Sequence, residues 1–140
     1  MGGNAWRDTG PYQRDLDAAF RQVQEEELAR DNHGFQGRSV GDLWRDPDWQ
    51  EYILTGGTGT VLDFPCMIEG TDTDNGPFMR LLTDDEVRAW APHGRPTYAE
   101  WDAALASERL GFPGRAQGNC TVLYRDGRPA QIAYWGVTAD

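Results

Sequence analysis

The sequence predicts an α+β fold in which N-terminal helices pack on an antiparallel sheet that ends in a C-terminal β-hairpin. Three observations point there. Apolar residues recur at helical spacing near the N-terminus. Two Thr-x-x-Glu capping boxes, Thr83 to Glu86 and Thr97 to Glu100, open helices in the second half. Asp126-Gly127 then stands between two β-rich runs at the end. At 140 residues the chain fits one domain, 1–140, with room for a core that needs no covalent staples. Residues 1–10 are expected as a flexible N-terminal arm.

Each element has a local reason. Thr9-Gly10-Pro11 reads as a helix start, with Thr9 as cap and proline tolerated in the first turn. Leu16, Ala19, Phe20, Val23 and Leu28 then share one helical face, and Asp31-Asn32-His33-Gly34 stops it, which gives a helix from Tyr12 to Arg30. Ser39 can cap a short helix, Val40 to Trp44. Asp46-Pro47 opens another, Pro47 to Leu54, where Trp49 and Ile53 stand four apart. Gly56 and Gly57 end it.

Thr60 to Phe64 is rich in β-formers and stops at Pro65, so a strand is expected there. Phe78 to Leu82 reads as a second strand, after a polar loop from Gly70 to Pro77. The capping boxes start helices that run to Ala91, closed by Pro92, and through Trp101, Ala104 and Leu105, closed by Gly111. Cys120 to Tyr124 and Gln131 to Trp135 form the hairpin around Asp126-Gly127, with Pro129 at a strand start or edge.

Composition limits the function classes. The formal charge is −10, and all 13 basic residues are arginine. Schiff-base chemistry and lysine-dependent phosphate sites are therefore absent; the lysine-free composition resembles that of a GC-rich bacterial genome. Residues 42–86 carry eleven acids against Arg45 and Arg80, whereas residues 1–41 carry −2 and residues 87–140 carry +1. A field of that sign attracts a basic protein and repels phosphate backbones, so nucleic-acid binding is not expected. Mean hydropathy is −0.70 and no apolar run approaches 18 residues, so no membrane span is expected. The first residues lack the pattern of a secretory signal, and a cytoplasmic location is the default. Cys66 and Cys120 are too few for a disulfide framework or a cysteine zinc site and read as buried free thiols.

The motifs that resemble chemical sites fail on order or register. Thr55-Gly56-Gly57-Thr58-Gly59-Thr60 has the glycines of a phosphate loop. A P-loop runs strand, loop, helix and carries lysine; here the order is helix, loop, strand, so the stretch reads as a turn. Asp72-Thr73-Asp74-Asn75-Gly76 starts like a calcium loop, but its glycine falls at position five and Thr83 at twelve. Pro65-Cys66 starts like a zinc-deaminase half-motif, but residue 69 is Glu and neither His33 nor His93 precedes x-Glu. No metal or cofactor is expected. Asp63, flanked by apolar neighbours, is the best carboxylate for general acid–base work.

The reading that follows is a small acidic binding module that occludes a basic partner protein. Its surface would use Trp44, Trp49 and Tyr52 as aromatic anchors, with Asp46, Asp48, Glu51, Asp72 and Asp74 steering and orienting. Small acidic inhibitors, including immunity proteins for toxins, share this character of charge and size, though no motif ties the chain to them. Two alternatives stand beside it. One is a small enzyme or ligand-binding domain with Asp63 as proton carrier; the other is a homo-oligomer that uses the C-terminal hairpin as an edge.

Overall fold

The structure, a computed structural model, describes residues 3–69 and 77–140. Strand β1 (Ala5–Pro11) precedes helices α1 (Leu16–Arg30), α2 (Val40–Leu43) and α3 (Pro47–Thr55). A single 3-10 turn, Val61–Asp63, leads to β2 (Met67–Glu69) and β3 (Met79–Leu81). Helices α4 (Asp84–Arg88) and α5 (Tyr98–Ala106) connect β3 to the long strands β4 (Gly118–Arg125) and β5 (Arg128–Val137). The polar loop expected before β3 lies outside the described residues, apart from Pro77.

The five strands form one sheet in the order β1-β5-β4-β3-β2. β5 pairs antiparallel with β1 and β4, while β3 pairs parallel with β4 and β2. The α+β class holds, but the sheet is mixed rather than antiparallel. Parallel neighbours need a crossover connection, and α4 with α5 supply it between β3 and β4.

The N-terminus also departs from expectation. Ala5–Pro11, which overlaps the stretch 1–10 expected as an arm, pairs along β5, so a strand precedes the helices. Thr9-Gly10-Pro11 belongs to that strand and does not cap α1. Asp15 is the cap instead, its Oδ1 accepting from the Ala18 N–H at 3.1 Å. Proline is tolerated at the end of an edge strand, and the Asp8 carboxylate takes the Thr9 N–H at 2.7 Å.

The hairpin forms where its turn chemistry places it. Asp126 and Gly127 both have positive φ, 53° and 76°, as a two-residue type I′ turn requires. Its two strands are interior in the order of the sheet. β5 lies between β1 and β4, and β4 between β5 and β3, although β3 covers only Gly118 to Cys120 of β4.

Successive strand residues point to opposite faces, and the two faces have separate cores. Ile132 and Tyr134 pack with Cys120, Met79 and the α1 residues Phe20 and Val23. Ala133 and Trp135 pack with Leu123, Val87, Trp90 and Trp101 on the α4–α5 side. Beyond α1 lies an outer layer in which Val40, Leu43, Trp49 and Ile53 close around Leu62, with Leu28 and Phe35 against them.

Residues 60–64 do not form the expected strand. Thr60 caps the 3-10 turn, its hydroxyl accepting from the Leu62 N–H at 3.1 Å. Val61, Leu62, Asp63 and Phe64 are all buried, which an alternating, half-exposed strand could not achieve. The carbonyls are satisfied by a helix side chain. Gln24, fully buried on α1, donates through Nε2 to the Val61 oxygen at 3.0 Å and the Phe64 oxygen at 2.7 Å. Gln24→Leu leaves both carbonyls without this donor and is expected to cost about 2–4 kcal/mol. The urea midpoint measures it; an unchanged midpoint refutes this account of the turn.

On the other face, Arg80 of β3 grips the first turn of α4. Its Nη1 and Nη2 donate to Glu86 Oε1 and Oε2 at 2.7 and 2.9 Å, while Glu86 Oε1 accepts from the Thr83 N–H at 2.9 Å. The Arg80 guanidinium, with the cap, holds the Glu86 carboxyl down at about 2. A depressed folded value stabilises the fold above the ordinary 4.5 and loses that contribution as pH falls towards 2. Glu86→Gln is therefore expected to flatten the acid limb of a stability–pH curve over that window. An acid limb of unchanged slope would contradict it.

Candidate functional site

The acidic segment that dominates the charge is divided by the fold. α3 belongs to the layer beyond α1, whereas α4, with exposed Asp84 and Asp85, packs on the opposite face of the sheet. The described acids of α3 and α4 therefore do not share a face. What remains together is the outer surface of α2 and α3.

On that surface the sequence-predicted residues separate into support and exposure. Asp46 is the N-cap of α3: its Oδ1 accepts from the Asp48 N–H at 2.9 Å and its Oδ2 pairs with Arg38. The backbone bond and then the arginine hold its carboxyl below the usual range. Trp49, expected as an anchor, is 0 % exposed and lies in the core. The helical spacing that put it beside Ile53 turns both inward. Its indole is the hub on which other rings lean: Phe35 edge-on at 5.1 Å, Tyr52 at 5.9 Å and half-buried Trp44 edge-on at 6.4 Å.

Asp48, Glu51 and Tyr52 face solvent. Tyr52 follows Asp48 by four residues, so the two are neighbours on one helical stripe. Leu54, 53 % exposed, follows Glu51 by three and adds an apolar side chain that sequence reasoning did not single out. Among the described residues neither Asp48 nor Glu51 has a cationic partner within ion-pair distance. Asp72 and Asp74 lie outside the described residues.

Tyr52 also meets the loop that ends α1. Its hydroxyl lies 3.2 Å from His33 Nδ1, and His33 Nε2 is 3.8 Å from Asp31 Oδ2. Burial raises the Tyr52 phenol, and the negative charges of Asp31 and Asp63 raise it further. His33 adopts φ 52°, a left-handed conformation that the Asx-type bond from its N–H to Asp31 Oδ1 at 2.9 Å helps to fix.

Beneath this surface the glycine-rich stretch does hold an anion, and the anion is the chain's own. Gly56 caps α3, and Gly57 and Gly59 turn with φ of 86° and 70°. The loop closes on buried Asp63. Oδ1 accepts from the Thr58 N–H at 2.7 Å and the Thr58 hydroxyl at 2.6 Å, and Oδ2 accepts from the Gly59 N–H at 3.1 Å. A Cβ on Gly57 would stand 2.9 Å from Oδ2, so the approach requires glycine. Both oxygens of Asp63, the residue named for acid–base work, are thus engaged by its own loop.

Burial raises the Asp63 carboxyl above its ordinary value, only partly offset by the Thr58 and Gly59 bonds and by His33. A carboxyl raised in the fold favours the folded state most at low pH, and that advantage fades as pH rises through the folded value. In Asp63→Asn the stability difference from wild type is expected to move in the variant's favour as pH rises from the ordinary carboxyl value of 3.8. Urea unfolding across that rise checks it, and a gap independent of pH would refute the burial cause.

Among the described residues no group of three His, Cys, Asp or Glu side chains converges to hold a metal ion, and no helix is long and apolar enough to cross a membrane. The cysteines differ from the expected buried pair. Cys120 is buried, with Sγ 3.6 Å from Met67 Sδ and its thiol raised by burial, whereas Cys66 is exposed. Comparison with protein-family models, with curated proteins and with solved structures finds no match for this chain.

Proposed function

We propose that the protein is an acidic protein-binding module that occludes a basic partner through the outer surface of α2 and α3. The observation that supports this reading is the combination on α3: two exposed, cation-free carboxylates, Asp48 and Glu51, beside exposed Tyr52 and Leu54. Charges of one sign around a small apolar centre steer a complementary surface and then give it something to bury against. Tyr52 is the aromatic anchor in this arrangement and Trp44 its margin. Trp49 holds both in place from below, and Asp46 fixes the start of the helix that presents them. Blocking a basic enzyme, in the manner of small acidic inhibitors, is the activity this surface suits.

Asp48→Arg with Glu51→Arg reverses the steering charge at exposed positions and leaves the caps and the core intact. The tagged wild-type chain is expected to retain a stoichiometric basic protein from its native lysate at low salt and to release it at high salt. With that protein purified, the double variant is expected to associate at least about tenfold more slowly, with a flatter salt dependence. Equal rates and equal salt slopes for both forms would overturn the assignment of this surface.

A further inference from the structure

A groove of about 460 Å³ runs along the C-terminal half of α1, between that helix and the segment leading to α2. Leu28, Ala29 and Phe35 give it apolar walls, and Glu25, Asn32 and Arg38 form its polar rim. Ala29 is exposed, and Leu28 and Phe35 are only partly buried, so among the described residues nothing covers their outward surface. We infer that this groove is the receptor for an apolar side chain of a basic segment, one in which a leucine or similar residue is flanked by lysine or arginine.

The choice of occupant comes from the charges around the apolar walls. The Glu25 carboxylate stands on that rim. Arg38, the one cation on the rim, is already neutralised by Asp46. The groove lies against the C-terminal half of the fifteen-residue α1, and the negative end of a helix favours cations. A bare apolar peptide would leave the Glu25 carboxylate without a counter-charge, and an acidic one would be repelled by it. Phe35 links this groove to the α3 surface, since its ring is 5.1 Å from Trp49 and 6.1 Å from Tyr52. One basic partner can therefore span both, with Asp48 and Glu51 reading its charge and the groove taking its anchor. This inference rests on the proposed function and supplies the pocket that reading lacked.

The test uses the full chain and two synthetic helical peptides as probes, one of lysine with leucine at positions i, i+4 and i+7, the other with those leucines replaced by alanine. The leucine peptide is expected to bind at least about tenfold more tightly, the amount gained by burying one leucine. On titration, amide shifts are expected to be largest for Glu25, Leu28, Ala29, Phe35 and Gly37. Ala29→Arg, at an exposed position, places a cation in the groove and is expected to remove the leucine advantage while thermal unfolding stays unchanged. Equal affinity for the two peptides, shifts confined to α3, or a leucine advantage that survives in Ala29→Arg would each overturn the inference. Loss of steering in the Asp48→Arg, Glu51→Arg variant with no leucine dependence would sink the groove alone. A leucine advantage at the groove together with unaltered binding in that double variant would sink the α3 surface alone.

Discussion

The path of the chain from the outer helices into the sheet depends on one buried carboxylate. Asp63 gathers the N–H groups of Thr58 and Gly59 and the Thr58 hydroxyl, while Gln24 takes the carbonyls on either side of it. Together they satisfy the polar groups of a segment whose four side chains are all buried. Without such partners those groups would carry the full desolvation cost of unpaired backbone and charge. With them the turn is free to point Leu62 into the α2–α3 layer and Val61 and Phe64 into the core between α1 and the sheet. The outer layer is thereby joined to the sheet, and the surface of α3 acquires a fixed platform.

That arrangement gives the glycine-rich loop a different meaning from the one its composition suggests. Backbone N–H groups and threonine hydroxyls converge on an anion, as in a phosphate cradle, but the anion comes from the same chain five residues on. The stretch is a turn, as its order in the chain suggests, and its donors hold an internal carboxylate. A carboxylate with both oxygens engaged by its own loop serves to hold that loop.

The outer layer divides its labour. Trp49 is sealed in the centre, and Phe35, Trp44 and Tyr52 lean on it at ring distances between 5.1 and 6.4 Å. A rigid buried ring beneath partly exposed ones lets those be presented at small entropic cost, since their rotamers are already limited by packing. The acids follow the same division: Asp46 is consumed by the cap and Arg38, while Asp48 and Glu51 remain in water. Counting carboxylates in a segment therefore overstates the field at any one face.

The sequence by itself determined the elements whose causes are local. Ser39, Asp46, Thr83 and Thr97 cap the helices they were expected to cap, because capping needs only a side-chain oxygen within three residues. Asp126-Gly127 makes its hairpin because the turn's positive φ values belong to those two residues. The acidic, lysine-free character that excluded whole classes of chemistry was equally legible. Tertiary structure decided whatever required a distant partner. β1 has few β-forming residues and exists because β5 offers it a hydrogen-bonding edge. The 61–63 turn replaces a strand because Gln24, 37 residues from Val61, supplies the donors. β3 and β4 run parallel because α4 and α5 return the chain across the sheet. The site divides in the same way: exposed Asp48, Glu51 and Tyr52 follow from helical phase, but the burial of Trp49, the separation of α3 from α4 and the groove beside Phe35 follow only from how the layers stack. Local rules act over a few residues, and a surface is made by elements that meet across the whole chain.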